Sequence, residues 1–187
     1  MVSLASLWLP ILVAAVLVFI ASSLVHMVLG YHAADYGRLA DEEKVMDALR
    51  PFNIPPGDYL APCPTSPSSM KDPEFIARRK RGPVFMMTMF PAGDFGMGGQ
   101  LAQWFVFCLV VGLFAAYLTS RALPAGAPYM EVFRFSSTVA FVGYGLALWE
   151  MSIWYKRKLG TTLRSNLDAL IYALLTGGAF GWLWPAL

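Results

Sequence analysis

Charged side chains are scarce in this sequence. Asp, Glu, Lys and Arg make up 14% of the 187 residues, whereas a soluble domain usually carries about 25%. The formal net charge is only +2, which gives no sign of a nucleic-acid partner. The shortage is uneven, because it comes from four long segments that have almost no charge. This composition predicts an integral membrane protein.

Cysteine and catalytic motifs are sparse as well. Cys63 falls in a predicted loop and Cys108 in the middle of a predicted helix, so a disulfide framework is not expected. The sequence has no HExxH, no CxxC and no Ser/His/Asp arrangement. The glycine-rich stretch 93–100 has no clear strand before it and no Lys after it, so we interpret it as a flexible hinge. These absences disfavour an enzyme.

Four apolar segments dominate what is present: residues 5–29, 101–120, 132–155 and 167–185. Each is about 20 residues long or a little longer, which suffices for one helical crossing of a bilayer. The first is too long for a signal-peptide core, and no Lys or Arg precedes it, so we expect a retained anchor. The predicted fold is an all-α transmembrane four-helix bundle, a single membrane domain over residues 1–187.

The distribution of Lys and Arg predicts the orientation of this bundle. Most of them lie in the insert 30–99 and in the loop 156–166. Because basic loops stay on the cytoplasmic side, the insert is expected in the cytoplasm and both termini in the periplasm.

The insert is predicted to contain two short helices. Residues 40–50 form one, with Asp41 as its cap, and residues 71–82 form the other, with Asp72 as its N-cap. The second helix ends in four consecutive basic residues: Arg78, Arg79, Lys80 and Arg81. We favour a plain topology signal for this cluster, with binding of lipid headgroups or phosphate as the alternative.

The rest of the insert gives weaker signals. Residues 53–69 are rich in Pro and Ser, so they are expected to be irregular. Residues 83–91 are apolar but too short to span a membrane as a helix, so we expect them in the interface or packed under the bundle. Met86, Met87 and Met89 offer thioethers that suit Cu(I). Plain packing is the favoured interpretation of these methionines.

Small residues at four-residue spacing indicate how the last three apolar helices pack. Close approach of backbones holds helices together in lipid, and small residues permit that approach. The predicted packing residues are Gly112, Ala116, Gly143, Ala147, Ala173, Gly177 and Gly181. These faces could serve the bundle itself or contacts with another protein.

Polar groups recur in one layer near the inner ends of the four helices: His26, Gln103, Glu150 and Asp168. Ionisable groups inside a membrane are costly and usually face a bundle interior or a water-filled cavity. One hypothesis is therefore a small cation or proton site. The other, which we favour, is structural: Asp168 pairs with Arg164 one turn away, and Glu150 binds its neighbours or reaches the headgroups.

Two further polar residues follow the first helix. His32 and Asp35 could share a helical face, although this pair alone is weak evidence for a metal site. His26 and His32 are six residues apart, so they are not expected on one face of a helix.

Several segments resemble a group of small four-span bacterial membrane proteins of unknown function. The resemblance lies in QWFVFCLVVGLFAAYL (103–118), ALPAGAPYMEVFR (122–134), GTTLRSNLDALIYALLTGGAFGWLWP (160–185), LWLPILVAAVLVFIASSLVHM (7–27) and GPVFMMTMFP (82–91). It implies a four-span fold and a location in the bacterial inner membrane. It transfers no chemistry and no catalytic residue.

These observations predict a non-enzymatic accessory or scaffold subunit of a larger inner-membrane complex, such as a bioenergetic or photosynthetic one. The alternative is a small ion, proton or metal transporter that acts as an oligomer through the polar layer. Expected partners are membrane lipid and other membrane subunits or a second copy, but not nucleic acid. No cofactor is predicted, and a pigment or a metal is left open.

Overall fold

The computed structural model describes residues 2–93 and 96–186, which are mostly helical. The helices are α1 (Trp8–Met27), α2 (Glu42–Leu49), α3 (Pro73–Arg81), α4 (Gly98–Ala122), α5 (Tyr129–Tyr144), α6 (Trp149–Ile153) and α7 (Leu159–Trp182). These residues also form two strands, β1 (Gly57–Ala61) and β2 (Phe85–Met89). Short 3-10 turns occupy Leu4–Leu7, Tyr31–Ala34, Arg50–Phe52, Ser68–Lys71 and Leu146–Leu148.

The chain divides into two compact units. The helical unit comprises the chain up to Gly37 and from Gly96 onward, with α1 and α4 to α7. The insert unit begins at Arg38 and ends before α4, and it contains α2, α3 and both strands.

Four long helices form the helical unit in the cyclic order α1, α4, α5, α7, so that each packs against two neighbours. Small residues occupy the centre. One buried cluster combines Ala15 of α1, Cys108 of α4, Ala140 of α5 and Ala173 of α7. Because such side chains are short, the helix backbones can approach closely, as lipid-embedded helices require.

Among the described residues, three helical segments are long and apolar enough to cross a membrane: Leu4–Met27, Gly98–Ala122 and Tyr129–Ile153. The fourth apolar segment that the sequence indicates forms α7, which is not one of these three. Its first half carries polar residues, among them Thr161, Thr162 and Asp168, and these are buried within the unit. The same polar residues lower the hydropathy of α7 and face its neighbours. The structure therefore supports a membrane protein with three candidate spans.

The helix predicted over residues 132–155 is interrupted. Helix α5 ends at Tyr144, a 3-10 turn follows, and α6 is a separate short helix. At Gly145 an added Cβ would lie 2.9 Å from Cβ of Ala169 and 3.2 Å from Oδ1 of Asn166, both on α7. The interruption therefore falls where the chain lies too close to α7 for a Cβ, so only glycine fits there.

The insert unit contains a two-stranded antiparallel sheet that the all-α prediction lacked. In its register Gly57 pairs with Met89 and Ala61 pairs with Phe85. The prediction that residues 53–69 are irregular is therefore wrong for β1. The prediction that residues 83–91 lie in the interface or under the bundle did not anticipate β2. Each segment is short and only partly apolar, so its own sequence gives little indication of a strand. Each forms a strand because it pairs with the other, which is distant in sequence.

Both short helices predicted in the insert are present as α2 and α3. Asp72 caps α3, since its Oδ1 accepts a hydrogen bond from the backbone N–H of Glu74 at 2.9 Å. Asp41 does not cap α2 through its side chain, which contradicts the prediction. Its backbone has a positive φ of 46°, and its carboxylate lies 3.3 Å from Nζ of Lys44. The predicted hinge 93–100 includes Asp94 and Phe95, which lie outside the described residues.

Candidate functional site

A cluster of polar side chains lies where α1 ends and α7 begins. After Met27 the chain turns at Gly30, whose φ of 63° suits a residue without a Cβ. The 3-10 turn Tyr31–Ala34 then runs beside α7. This return of the chain places Tyr31, His32 and Asp35 against residues that are more than 120 positions later.

His32 is the centre of the cluster and binds a carboxylate at each edge of its ring. Its Nδ1 lies 2.7 Å from Oδ2 of Asp35, and its Nε2 lies 2.8 Å from Oδ2 of Asp168. The exposed fraction is 14% for the His32 side chain, 6% for Asp35 and 5% for Asp168. Buried charges of this kind are tolerated only when they are paired.

Each carboxylate has a second partner. Arg164 donates from Nε at 2.8 Å to Oδ1 of Asp35, and its Nη2 lies 2.6 Å from the same oxygen. The Tyr31 hydroxyl donates to Oδ1 of Asp168. A continuous chain of contacts therefore runs from Arg164 through Asp35, His32 and Asp168 to Tyr31.

The charge state of Asp35 determines which ring nitrogen of His32 carries a hydrogen. Burial raises the pKa of this carboxyl, but the hydrogen bonds from His32 and Arg164 and the charge of Arg164 outweigh it, so the pKa is lowered overall. An ionised carboxylate can only accept hydrogen bonds, and therefore Nδ1 of His32 carries the hydrogen. The other nitrogen, Nε2, faces the carboxylate of Asp168.

His26 completes the cluster from the last turn of α1. Its ring centroid lies 4.3 Å from that of His32, and the two planes make an angle of 38°. His26 and His32 are the two histidines of the chain. His26, His32 and Asp168 each offer one metal-ligand atom, and these three atoms lie within 4.8 Å of one another.

Some of the residues predicted for the polar layer come together and others do not. His26 and Asp168 belong to the cluster, whereas Gln103 and Glu150 are exposed and lie outside it. The predicted pairing of Arg164 with Asp168 is wrong: in the described part of the chain Arg164 pairs with Asp35, and Asp168 is bound by His32 and Tyr31. Sequence spacing missed the role of His32, because its distance from His26 was judged along one helix. The available sequence signal was Gly30 itself, because a glycine just after a helix commonly ends it.

The predicted packing residues lie mostly at helix contacts. Gly112, Ala116, Ala173 and Gly177 are buried, and Gly181 is partly buried. An added Cβ would lie 3.3 Å from Ile11 at Gly112, 3.2 Å from Val111 at Gly143, and 2.7 Å from Tyr129 at Gly181. Ala147 is exposed.

The basic residues Arg78, Arg79, Lys80 and Arg81 are exposed on α3 in the insert unit.

Comparison of the chain with protein-family models, with curated proteins and with solved structures gives no match. The site must therefore be interpreted from its own chemistry. Two imidazoles and a carboxylate can share a proton, bind a metal ion, or hold the turn after α1 against α7 as an ion-pair network.

Proposed function

We propose that the protein is a membrane-embedded accessory or scaffold subunit of a larger bacterial inner-membrane complex, such as a bioenergetic or photosynthetic one. The observation that carries this proposal is that the insert unit buries very little of its own surface. Among the described residues of this unit, Phe75 alone is buried, with an exposed fraction of 8%. A unit with so little buried surface would gain stability from contact with a partner.

The physical reason is the small size of its core. A two-stranded sheet is at best marginally stable in water unless further strands or a helix pack on it. A unit of about 60 residues already buries a smaller share of its surface than a larger domain does. One buried phenylalanine does not supply the apolar burial that offsets the entropy of ordering the chain. Contact with another protein would supply it.

The surface of the insert unit is suited to such a contact. Phe52 and Phe90 are exposed by 72% and 74%. A hollow of about 120 Å³ is lined by Leu60, Phe75 and Val84 together with Pro62, Pro64, Met70 and Arg79. We propose that an apolar side chain of a partner subunit enters this hollow. The headgroup layer of the membrane is the competing cover, and Arg78–Arg81 would favour it.

The membrane arrangement belongs to the same proposal. Three apolar segments support spanning, and α7 is proposed as the fourth span because it completes the ring of long helices. We further propose that the insert lies in the cytoplasm and both termini in the periplasm, and the excess of Lys and Arg in residues 30–99 and 156–166 supports this orientation. The resemblance to small four-span bacterial proteins agrees with this arrangement.

A small ion, proton or metal transporter is the second candidate. The observation that favours it is the contact between the half-buried His32 and the buried Asp168, which offers a cation site at the end of the bundle. The residues predicted for a transport layer included Gln103 and Glu150, and their exposure makes this candidate the weaker one.

The test of the scaffold proposal is purification in mild detergent at native expression, followed by identification of co-purifying proteins. We expect stoichiometric membrane subunits with the parent chain. Leu60→Asp places a charge in the hollow and should release them, because a carboxylate cannot be desolvated there without a partner. Thr65→Asp, an exposed site in the same unit, is the matched control and should keep them.

Two results would contradict the proposal. One is a parent chain that purifies alone or only with copies of itself. The other is an insert that binds anionic vesicles and loses this binding on Leu60→Asp, since the hollow would then face lipid and not protein.

A further inference from the structure

We propose that His26, His32 and Asp168 form a binding site for one divalent transition-metal ion of the zinc type. The site is independent of any partner subunit, because all three ligands come from the helical unit of a single chain. Two imidazole nitrogens and one carboxylate oxygen are a common ligand set of open zinc sites.

The contacts of His32 leave one ring nitrogen, Nε2, directed at Asp168. Nδ1 of His32 lies 2.7 Å from Oδ2 of Asp35, and a ring with its hydrogen on Nδ1 presents the lone pair of Nε2 to a metal ion. The Nε2 atom lies 2.8 Å from Oδ2 of Asp168, and an ionised carboxylate oxygen is also an acceptor. Two acceptors at this separation repel each other unless a proton or a metal ion lies between them.

The surrounding residues orient the ligands as they do in metal sites. Metal-binding histidines usually donate their second ring N–H to a carboxylate, which fixes the tautomer and the ring position. Asp35 accepts that hydrogen bond, and Arg164 holds Asp35 in turn. Tyr31 donates to Oδ1 of Asp168, which leaves Oδ2 directed at His32. Sharing a proton would involve only His32 and Asp168. Here the contacts that fix the direction of the two ligands continue through five side chains, which is typical of a metal site.

The geometry needs only small adjustments to hold the ion. Around a tetrahedral zinc with bonds of about 2.0–2.1 Å, neighbouring ligand atoms lie roughly 3.3 Å apart. His32 Nε2 and Asp168 Oδ2 are 2.8 Å apart, so they would separate by roughly half an ångström. The three ligand atoms all lie within 4.8 Å, and rotation of the His26 side chain would bring its nitrogen closer.

The site is open on the side of His26. Asp168 is buried and His32 is only partly exposed, whereas His26 is exposed at the end of α1. Three protein ligands and one accessible side leave a fourth position for water or another small ligand, as in catalytic and transfer sites of zinc proteins. Closed structural sites use four protein ligands instead.

The experiment is metal binding by the purified full-length chain in detergent, prepared with an affinity tag that contains no histidine. The parent is stripped with a chelator and titrated with Zn²⁺ against a chromophoric competitor, and bound metal is counted by elemental analysis. Co²⁺ is a second probe, because its visible absorption reports nitrogen and oxygen ligands. We expect one ion per chain and an absorption spectrum typical of four- or five-coordinate Co²⁺.

Four variants separate ligands from their supports. His26→Gln and Asp168→Asn should weaken Zn²⁺ binding by about 100-fold or more, since each removes one of three ligands. Asp35→Asn keeps all three ligands and should weaken binding by about 10- to 100-fold. Glu150→Gln, an exposed carboxylate outside the cluster, is the matched control and should bind as the parent does.

The proposal is overturned if the parent binds less than stoichiometric metal, or if His26→Gln and Asp168→Asn bind Zn²⁺ as tightly as the parent. His26 is exposed, so His26→Gln should fold normally, and a loss of metal in this variant reports the site itself. If His32 and Asp168 share a proton instead, none of the four substitutions will change metal content.

Discussion

Gly177 and Gly178 are neighbours on α7 with different surroundings. A Cβ added to Gly177 would lie 2.8 Å from Cβ of Ser137 and 3.0 Å from the carbonyl oxygen of Phe133, both on α5. At Gly178 the nearest atom would be the Tyr129 hydroxyl at 3.9 Å, an ordinary contact. The close approach of α5 and α7 therefore depends on the first glycine and not on the second.

Gly177→Ala should destabilise the protein by about 1–3 kcal/mol, because the added methyl group forces two backbones apart. Gly177→Leu should be worse. Gly178→Ala is the matched control, and it should be neutral or slightly stabilising, since alanine favours helix. Thermal unfolding in detergent measures both. Equal melting temperatures for Gly177→Ala and the parent would show that α5 and α7 do not pack as described.

Residue spacing predicted this contact but not the polar cluster. The four-residue spacing of Ala173, Gly177 and Gly181 is visible along one helix, so local periodicity was enough. His32 and Asp35 meet Asp168 only because the chain reverses at Gly30. Their partners are distant in sequence, and no local pattern can show such a pairing.

At the scale of elements, the turn after α1 is held to α7 by Tyr31 and His32, which bind Asp168, and by Asp35, which binds Arg164. Arg164 binds Asp35 with Nε and Nη2, and His32 binds it from the other side. Helix α1 and the 3-10 turn Tyr31–Ala34 therefore have a fixed relation to the first half of α7.

Arg164→Gln should loosen this turn. A hydrogen bond to a charged group contributes about 1.5–3 kcal/mol when buried, and the 28% exposure of Arg164 reduces this toward about 1 kcal/mol. Amide exchange in residues 31–37 should then become about fivefold to tenfold faster, while exchange in α4 stays unchanged. Lys156→Gln is the control, because Lys156 is exposed. Unchanged exchange in the turn would mean that Arg164 does not hold it.

Element boundaries were predictable where the cause is local. Asp72 and Pro73 mark the start of α3, and the structure places the helix there. The interruption after α5 has a cause in another helix, because Ala169 lies against Gly145. The strands β1 and β2 likewise pair across 23 intervening residues, 62–84. Sequence reasoning finds elements with their own signals and misses those that a distant neighbour imposes.

At the scale of the whole molecule, the position of α7 decides the topology. With four spans, the C-terminus lies on the side of the membrane opposite to the insert; in the proposed orientation the insert is cytoplasmic and the C-terminus periplasmic. With only the three apolar segments as spans, the C-terminus would lie on the same side as the insert.

Reporter fusions after residue 60 and at the C-terminus separate these arrangements. We expect a cytoplasmic signal for the first and a periplasmic signal for the second, because α7 packs as a full member of the helix ring. A fusion after residue 125, between α4 and α5, is the internal control and should be periplasmic. Cytoplasmic signals from both test fusions would show that α7 does not cross.

The abundance of membrane complexes on native gels tests the scaffold account most directly. Deleting the gene should lower the amount of one larger inner-membrane complex, and the parent chain should restore it. Glu150→Gln should restore it equally, because a scaffold acts through its packed surfaces and Glu150 is exposed outside the polar cluster. Leu60→Asp should fail to restore it. If every complex keeps its parental abundance in the deletion strain, the protein is not an accessory subunit.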